Sequence, residues 1–191
     1  MLGSTRPGRG NAAGSLYVCG AKLKDGISIN DIAFADDSKK ISKKKHKEMA
    51  EKLKELVDFE LVEICPSYID DNGISDAMSH GLNHIKNKFK DSEIIFDGNT
   101  SYKTGIKTFI KGDQKSSLIA AASIIAKNIK DEKMQEESKK YPEYNFDSNS
   151  GYLTKHHTEM IKEYGYTPIH RRSFNIKALD NIEIKEYIPS V

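Results

Sequence analysis

The stretch from Ser117 to Lys140, SLIAAASIIAKNIKDEKMQEESKK, constrains this chain more than any other segment. It is rich in Ala and sets an apolar face inside a polar frame, the pattern of a long helix that must pack against something apolar. The partner surface is supplied upstream. SLYVCGAKL, FELVEICPS and EIIFDGN are short apolar or alternating segments that read as strands. Between them, FADDSKKISKKKHKEMAEKLKELVDF gives a loop and then a helix with Ser42 as N-cap, its apolar positions at Met49, Leu53, Leu56 and Val57 and its other face basic. IDDNGISDAMSHGLNHIKNKF returns to helical spacing. Strand and helix in alternation indicate an α/β protein. The segment DGISIND is expected to close a hairpin with SLYVCGAKL, HTEMIKEYG to form a further short helix, and the tail to be irregular.

At 191 residues the chain is long enough for one well-buried core. We expect a single compact unit, residues 1–140 forming the body and 141–191 a helical or irregular extension packed on it. Charged residues make up 30% of the chain but nearly cancel to +2, so a partner must be read from local clusters such as the lysines at 39–47. Cys19 and Cys65 lack a metal-ligand neighbour and read as two reduced thiols. No apolar run approaches the roughly 18 to 20 residues of a membrane span. A cytoplasmic monomer that avoids membranes is expected.

Two acids stand out by position. Asp97 ends an apolar strand before Gly98, where α/β proteins place their sites, and Asp131 lies one turn beyond Lys127 on the long helix. Alone these are weak signals, since Asp before Gly is usually a turn former and Asp on a helix is usually solvated. The lysine run reads either as a solvated helix face or as a track for a polyanion. His80 and His84, four apart, read as surface histidines.

Taken in this order and with these gaps, FDGN, KGDQKSSLIAAASIIAKNIKDEKM, YPEYNF, SGYLTKHH and TPIHRRSF resemble the ribonuclease HII family, the bacterial type 2 ribonucleases H. DSKKIS, AMSHGL and GRGNAAG fall where that family has its own versions, so the resemblance runs from residue 8 to residue 174. It implies an RNase H-like fold, a mixed β-sheet flanked by helices with a small helical C-terminal part. It implies an endoribonuclease requiring Mg²⁺ or Mn²⁺ that cleaves RNA in RNA/DNA hybrids and cuts 5′ of single ribonucleotides in duplex DNA, leaving a 3′-hydroxyl. By the same resemblance Asp97 and Asp131 are catalytic and metal-binding. Gly8, Arg9 and Gly10 contact the ribose 2′-hydroxyl, Tyr152 stacks on the following deoxyribose, and Ser38, Lys39 and Lys40 contact phosphate. The chemistry is coherent: paired divalent ions need clustered carboxylates, and a side-chain-free turn lets backbone groups approach a 2′-hydroxyl.

One motif departs from the family. Its Gly-Ile-Asp-Glu-Ala-Gly-Arg-Gly reads GSTRPGRG here, so Thr5 stands for the Asp and Arg6 for the Glu. Two catalytic carboxylates are lost and a cation is gained, both against divalent-ion binding. The bases GGATCGACGAGGCCGGGC read Gly-Ser-Thr-Arg-Pro-Gly in one frame and, two bases on, Ile-Asp-Glu-Ala-Gly. A lost base and a regained one would interconvert the segments, although such GC-rich codons sit oddly in a chain so rich in Lys, Ile and Asn. Two functions follow: a metal-dependent endoribonuclease, or a hybrid-binding homologue whose catalysis is impaired or absent.

Overall fold

In the computed structural model, strands β1 (Leu2–Thr5), β2 (Leu16–Leu23), β3 (Val57–Ile64), β4 (Ile94–Asp97) and β5 (Lys107–Phe109) make one sheet in the order β3-β2-β1-β4-β5. The residues described are 2–5, 7–40, 42–110 and 116–188. β2 runs antiparallel to both β1 and β3, whereas β1, β4 and β5 are parallel. The sheet is therefore mixed. Parallel pairing of β1 with β4 demands a long crossover, which the chain uses to build two helices, α1 (Lys43–Leu56) and α2 (Pro66–Lys88).

The two-residue period of β2 divides the core. Leu16 and Val18 point to α2 and meet Met78, Leu82, Ile94 and Phe96, while Cys19 and Ala21 point to the opposite face. There they meet Leu53 of α1 and Ile125 of α3 (Ser117–Lys140). Helices thus cover both faces, as the alternation of elements predicts. The Ser42 hydroxyl caps α1 by accepting from the Lys45 amide at 3.4 Å. α3 has the bounds its composition predicts. α2 begins earlier than expected, at Pro66, and kinks at Gly73, where φ is 79°.

The expected hairpin is corrected. β2 already has a neighbour on each edge, and Ile29–Lys40 instead winds through 3-10 turns that bury Ile32 and Ala35 in the α1/α3 layer. β1 and β5, of four and three residues, were not expected as strands. After α3 come α4 (Phe146–Asn149) and α5 (Lys155–Tyr164). Tyr144, Phe146, Ile161, Ile176 and Leu179 form a third apolar cluster that takes in Ala12 and Ala13 from the loop after β1, and Met134 of α3. No helix among the described residues is long and apolar enough to cross a membrane.

Candidate active site

β1 and β4 end side by side. Their register pairs Leu2 with Ile94, Gly3 with Ile95 and Ser4 with Phe96, so the next step along both strands sets Thr5 beside Asp97. Both are C-terminal strand ends, the margin where open α/β sheets place their ligands. The Thr5 side chain and all of Arg6 lie outside the described residues. Asp97 is half-buried, and the next amide, Gly98, donates to the Phe109 carbonyl at 3.0 Å, which ties the end of β4 to β5.

α3 packs across β1 and carries Asp131, also half-buried. Its Oδ1 accepts from the Ser150 hydroxyl at 3.3 Å. Among the described residues no three His, Cys, Asp or Glu side chains gather as a metal site. Asp97 and Asp131 are the two carboxylates that the resemblance assigns to a metal, and one or two carboxylates with substrate phosphate oxygens are a donor set of the size Mg²⁺ uses. They do not fit a pair of bridged ions, since among the described residues no third carboxylate gathers with them.

After β1 the chain turns through residues 7–10. Gly8 is buried with φ at 86°, and a methyl there would lie 3.0 Å from the Ser15 carbonyl oxygen. Gly10 differs: it is exposed, and a methyl on it would meet nothing within 4 Å. The free protein has no steric need for glycine at that place, which leaves room for an approaching ligand. Arg9 is exposed and opens on a polar groove of about 530 Å³ lined by Ser75, Ser79, Thr100 and Lys103.

The turn is stitched to the segment that carries Tyr152. The Gly151 carbonyl accepts from the Ala12 and Ala13 amides at 2.9 and 3.1 Å, and Asn11 Nδ2 donates to the Ser150 carbonyl at 2.6 Å. Tyr152 is 52% exposed, so it does not fill a seam between body and C-terminal segment. The Lys130 ammonium stands 4.9 Å from the centre of the Tyr152 ring. Lys130 is only 4% exposed; burial pulls its pKa down to about 8, with Arg171 and Lys127 adding to the effect and Asp131 opposing it. A methyl at Gly8 would come 3.5 Å from the Lys130 Cε, so this lysine underlies both the turn and the tyrosine. Sequence reasoning passed over it, because a lysine on a helix ordinarily reads as solvated.

The structure thus gathers Gly8, Asp131, Tyr152 and the unexpected Lys130, with Arg9 and Gly10 on the same turn. Ser38, Lys39 and Lys40 close the 3-10 segment, their side chains outside the described residues. That segment is tied to the start of α3 by the Ser117 hydroxyl, which donates to Asp36 at 3.0 Å. The surface reading of His80 and His84 holds: both are exposed, with His80 against the Tyr68 ring and His84 on Glu60 at 2.9 Å.

The sequence model of the family Ribonuclease HII matches residues 2–177. Ribonuclease HII of Campylobacter concisus is 38% identical over 177 residues, covering 93% of this chain and 94% of the relative. That of Aliarcobacter butzleri is 37% identical over 187 residues, covering 96% and 95%. Among solved structures, the PCNA:RNase HII complex from Archaeoglobus fulgidus matches with a TM-score of 0.73 at 25% identity, over 85% of each chain. Ribonuclease H2 from Pyrococcus horikoshii OT3 matches with 0.68 at 26% identity, over 91% and 92%. A sheet of this order with a strand-end aspartate, and matches of this extent in both sequence and fold, place the chain in the ribonuclease HII family, with its RNase H fold.

Proposed function

We propose that this chain binds RNA/DNA hybrids and DNA duplexes that contain ribonucleotides, and that it reads the step from a ribose to the following deoxyribose. Its chemistry is the endoribonucleolytic cut of its family, made 5′ of the ribonucleotide. The observation that carries the reading is the joining of the turn 7–10, Tyr152 and Asp131 into one surface by the Gly151 and Ser150 hydrogen bonds. Backbone groups of Gly8 and Gly10 approach the 2′-hydroxyl, Arg9 meets a neighbouring phosphate, and the open face of Tyr152 packs on a sugar that lacks that hydroxyl. Ser38, Lys39 and Lys40 hold phosphates further along the strand. We place this activity in the removal of ribonucleotides from DNA, carried out by a cytoplasmic monomer.

We assign Asp97 and Asp131 to Mg²⁺ or Mn²⁺, which when bound supplies the Lewis acidity for phosphodiester hydrolysis. A second reading, a hybrid-binding homologue of low activity, is favoured by the β1/β4 register: the residue aligned beside Asp97 is Thr5, which brings no charge. One experiment separates the two. Thr5→Asp with Arg6→Glu should raise cleavage of a duplex containing one ribonucleotide by more than ~100-fold, since losing even an outer-shell partner of a metal site costs ~10–100-fold. Equal turnover of parent and restored protein in Mg²⁺ and in Mn²⁺ would show that the two carboxylates suffice.

A further inference from the structure

His170 and Arg171 are neighbours in the TPIHRRSF segment, and each reaches one half of the surface just described. Arg171 is fully buried. Its Nε and Nη2 donate to the Gly14 carbonyl at 2.9 and 2.7 Å, and its Nη1 donates to the Arg9 carbonyl at 3.1 Å. Its backbone amide donates to the Ala12 carbonyl at 2.9 Å. One side chain therefore holds the loop at two points, Arg9 within the turn and Gly14 beyond it, and the forked guanidinium suits this because its donors are fixed in one plane.

His170 reaches the other half through His157. The Thr167 amide donates to His170 Nδ1 at 2.9 Å, so that nitrogen is bare and the proton of a neutral ring sits on Nε2. His170 Nε2 lies 2.9 Å from His157 Nε2, which must then accept. His157 in turn carries its proton on Nδ1, 2.9 Å from the Tyr152 carbonyl oxygen, to which it donates. The backbone of Thr167 thus fixes both tautomers and leaves a donor aimed at Tyr152. His157 is 0% and His170 2% exposed, among the rings of Tyr144, Phe146 and Tyr166. Two apolar side chains would fill such a space without four ring nitrogens to desolvate, so packing alone is a poor reason for the pair.

We infer that His157 and His170 are positioning residues for Tyr152, and that Arg171 is the positioning residue for the turn 7–10, so that one dipeptide sets the gap between the two sides of the sugar-reading surface. The inference rests on the junction reading above, and its test separates the two. His157→Asn keeps an N–H close to the place of Nδ1; His157→Leu removes it. Fluorescence anisotropy of the full chain without added metal gives the preference for a duplex with one ribonucleotide over the same all-DNA duplex. Both affinities are read on one protein, so any loss of folded fraction cancels.

His157→Leu should reduce that preference about fivefold, the scale of one net hydrogen bond, and His157→Asn by less than about twofold. Hydrogen exchange supplies the second readout: the Leu variant should exchange faster in the peptides spanning 8–14 and 149–154, and the Asn variant should not. Exchange that is unchanged, or raised evenly through the C-terminal segment, overturns the inference. So does a preference that survives the local loosening. If the parent shows no preference, the junction reading falls, and the exchange result alone decides whether the pair holds Tyr152.

Discussion

Neither ring of the His157 and His170 pair can take up a proton without breaking what holds it. An imidazolium at 170 would present N–H to the Thr167 amide, and one at 157 would set two donors face to face across 2.9 Å. Burial, aided by His157 and Arg172, pulls His170 down to about 3, and burial also lowers His157, with His156 adding to the effect. Both return to an ordinary value near 6.5 on unfolding. Between about pH 3 and 6.5 the unfolded chain binds more protons, so stability rises with pH across that window and levels above it. From pH 6.5 to 5 the loss from His170 alone should be about 2 kcal/mol. Urea titrations at the two values should show it, and His170→Phe should flatten the acid limb. The sequence displayed these histidines but not their meeting, which depends on how the irregular tail folds back over α5. Lys130 was illegible for a related reason. A lysine on a helix ordinarily reads as solvated, and only the packing of α3 beneath the turn buries it. Asp97 and Asp131, by contrast, could be picked out by position and by family motif, because strand ends and a long helix are themselves legible.

α3 was readable to its ends and α1 at its start, since helix-forming composition and a serine cap act over neighbouring residues; Val57, expected on α1, instead opens β3, where pairing with β2 claims it. β1 and β5 were not: three or four residues carry too little pattern, and their pairing comes from strands distant in the chain. The hairpin expectation failed because turn residues say where the chain bends but not whether an edge is free. α2 shows what close approach requires of a sequence. A methyl at Gly81 would lie 2.6 Å from Val18 Cγ2, in the layer between this helix and the sheet. Gly→Ala in a helix normally helps by about 1 kcal/mol, but here the obstacle is a stiff, fully buried β-branched side chain. Gly81→Ala should therefore destabilise by about 1–3 kcal/mol. Adding Val18→Ala should recover part of the loss, so thermal melts of the double variant should show less than the sum of the two single changes.

A net charge of +2 hides an uneven distribution. Lys44 and Lys45 are exposed on α1, following in sequence from Lys39 and Lys40, and no acid interrupts residues 38–47, with Asp36 and Asp37 before them and Glu48, Glu51 and Glu55 after. If this run tracks a phosphate backbone, affinity for hybrid duplex should fall steeply with salt. Lys44→Gln with Lys45→Gln should make the slope of log K against log salt shallower by roughly 1 to 2, at about 0.9 per phosphate contact. Anisotropy titrations from low to physiological salt measure it, and an unchanged slope would mean a merely solvated face. The sheet order has a consequence of another kind. β1 lies in the middle of the sheet, between β2 and β4, yet β4 follows it only after two helices and two strands. During synthesis β2 can cover one side of β1 early. The other side stays bare until the crossover has left the ribosome, so a nascent chain carries an open strand edge through about half of its elongation, and a chaperone that shields such edges would act in that interval.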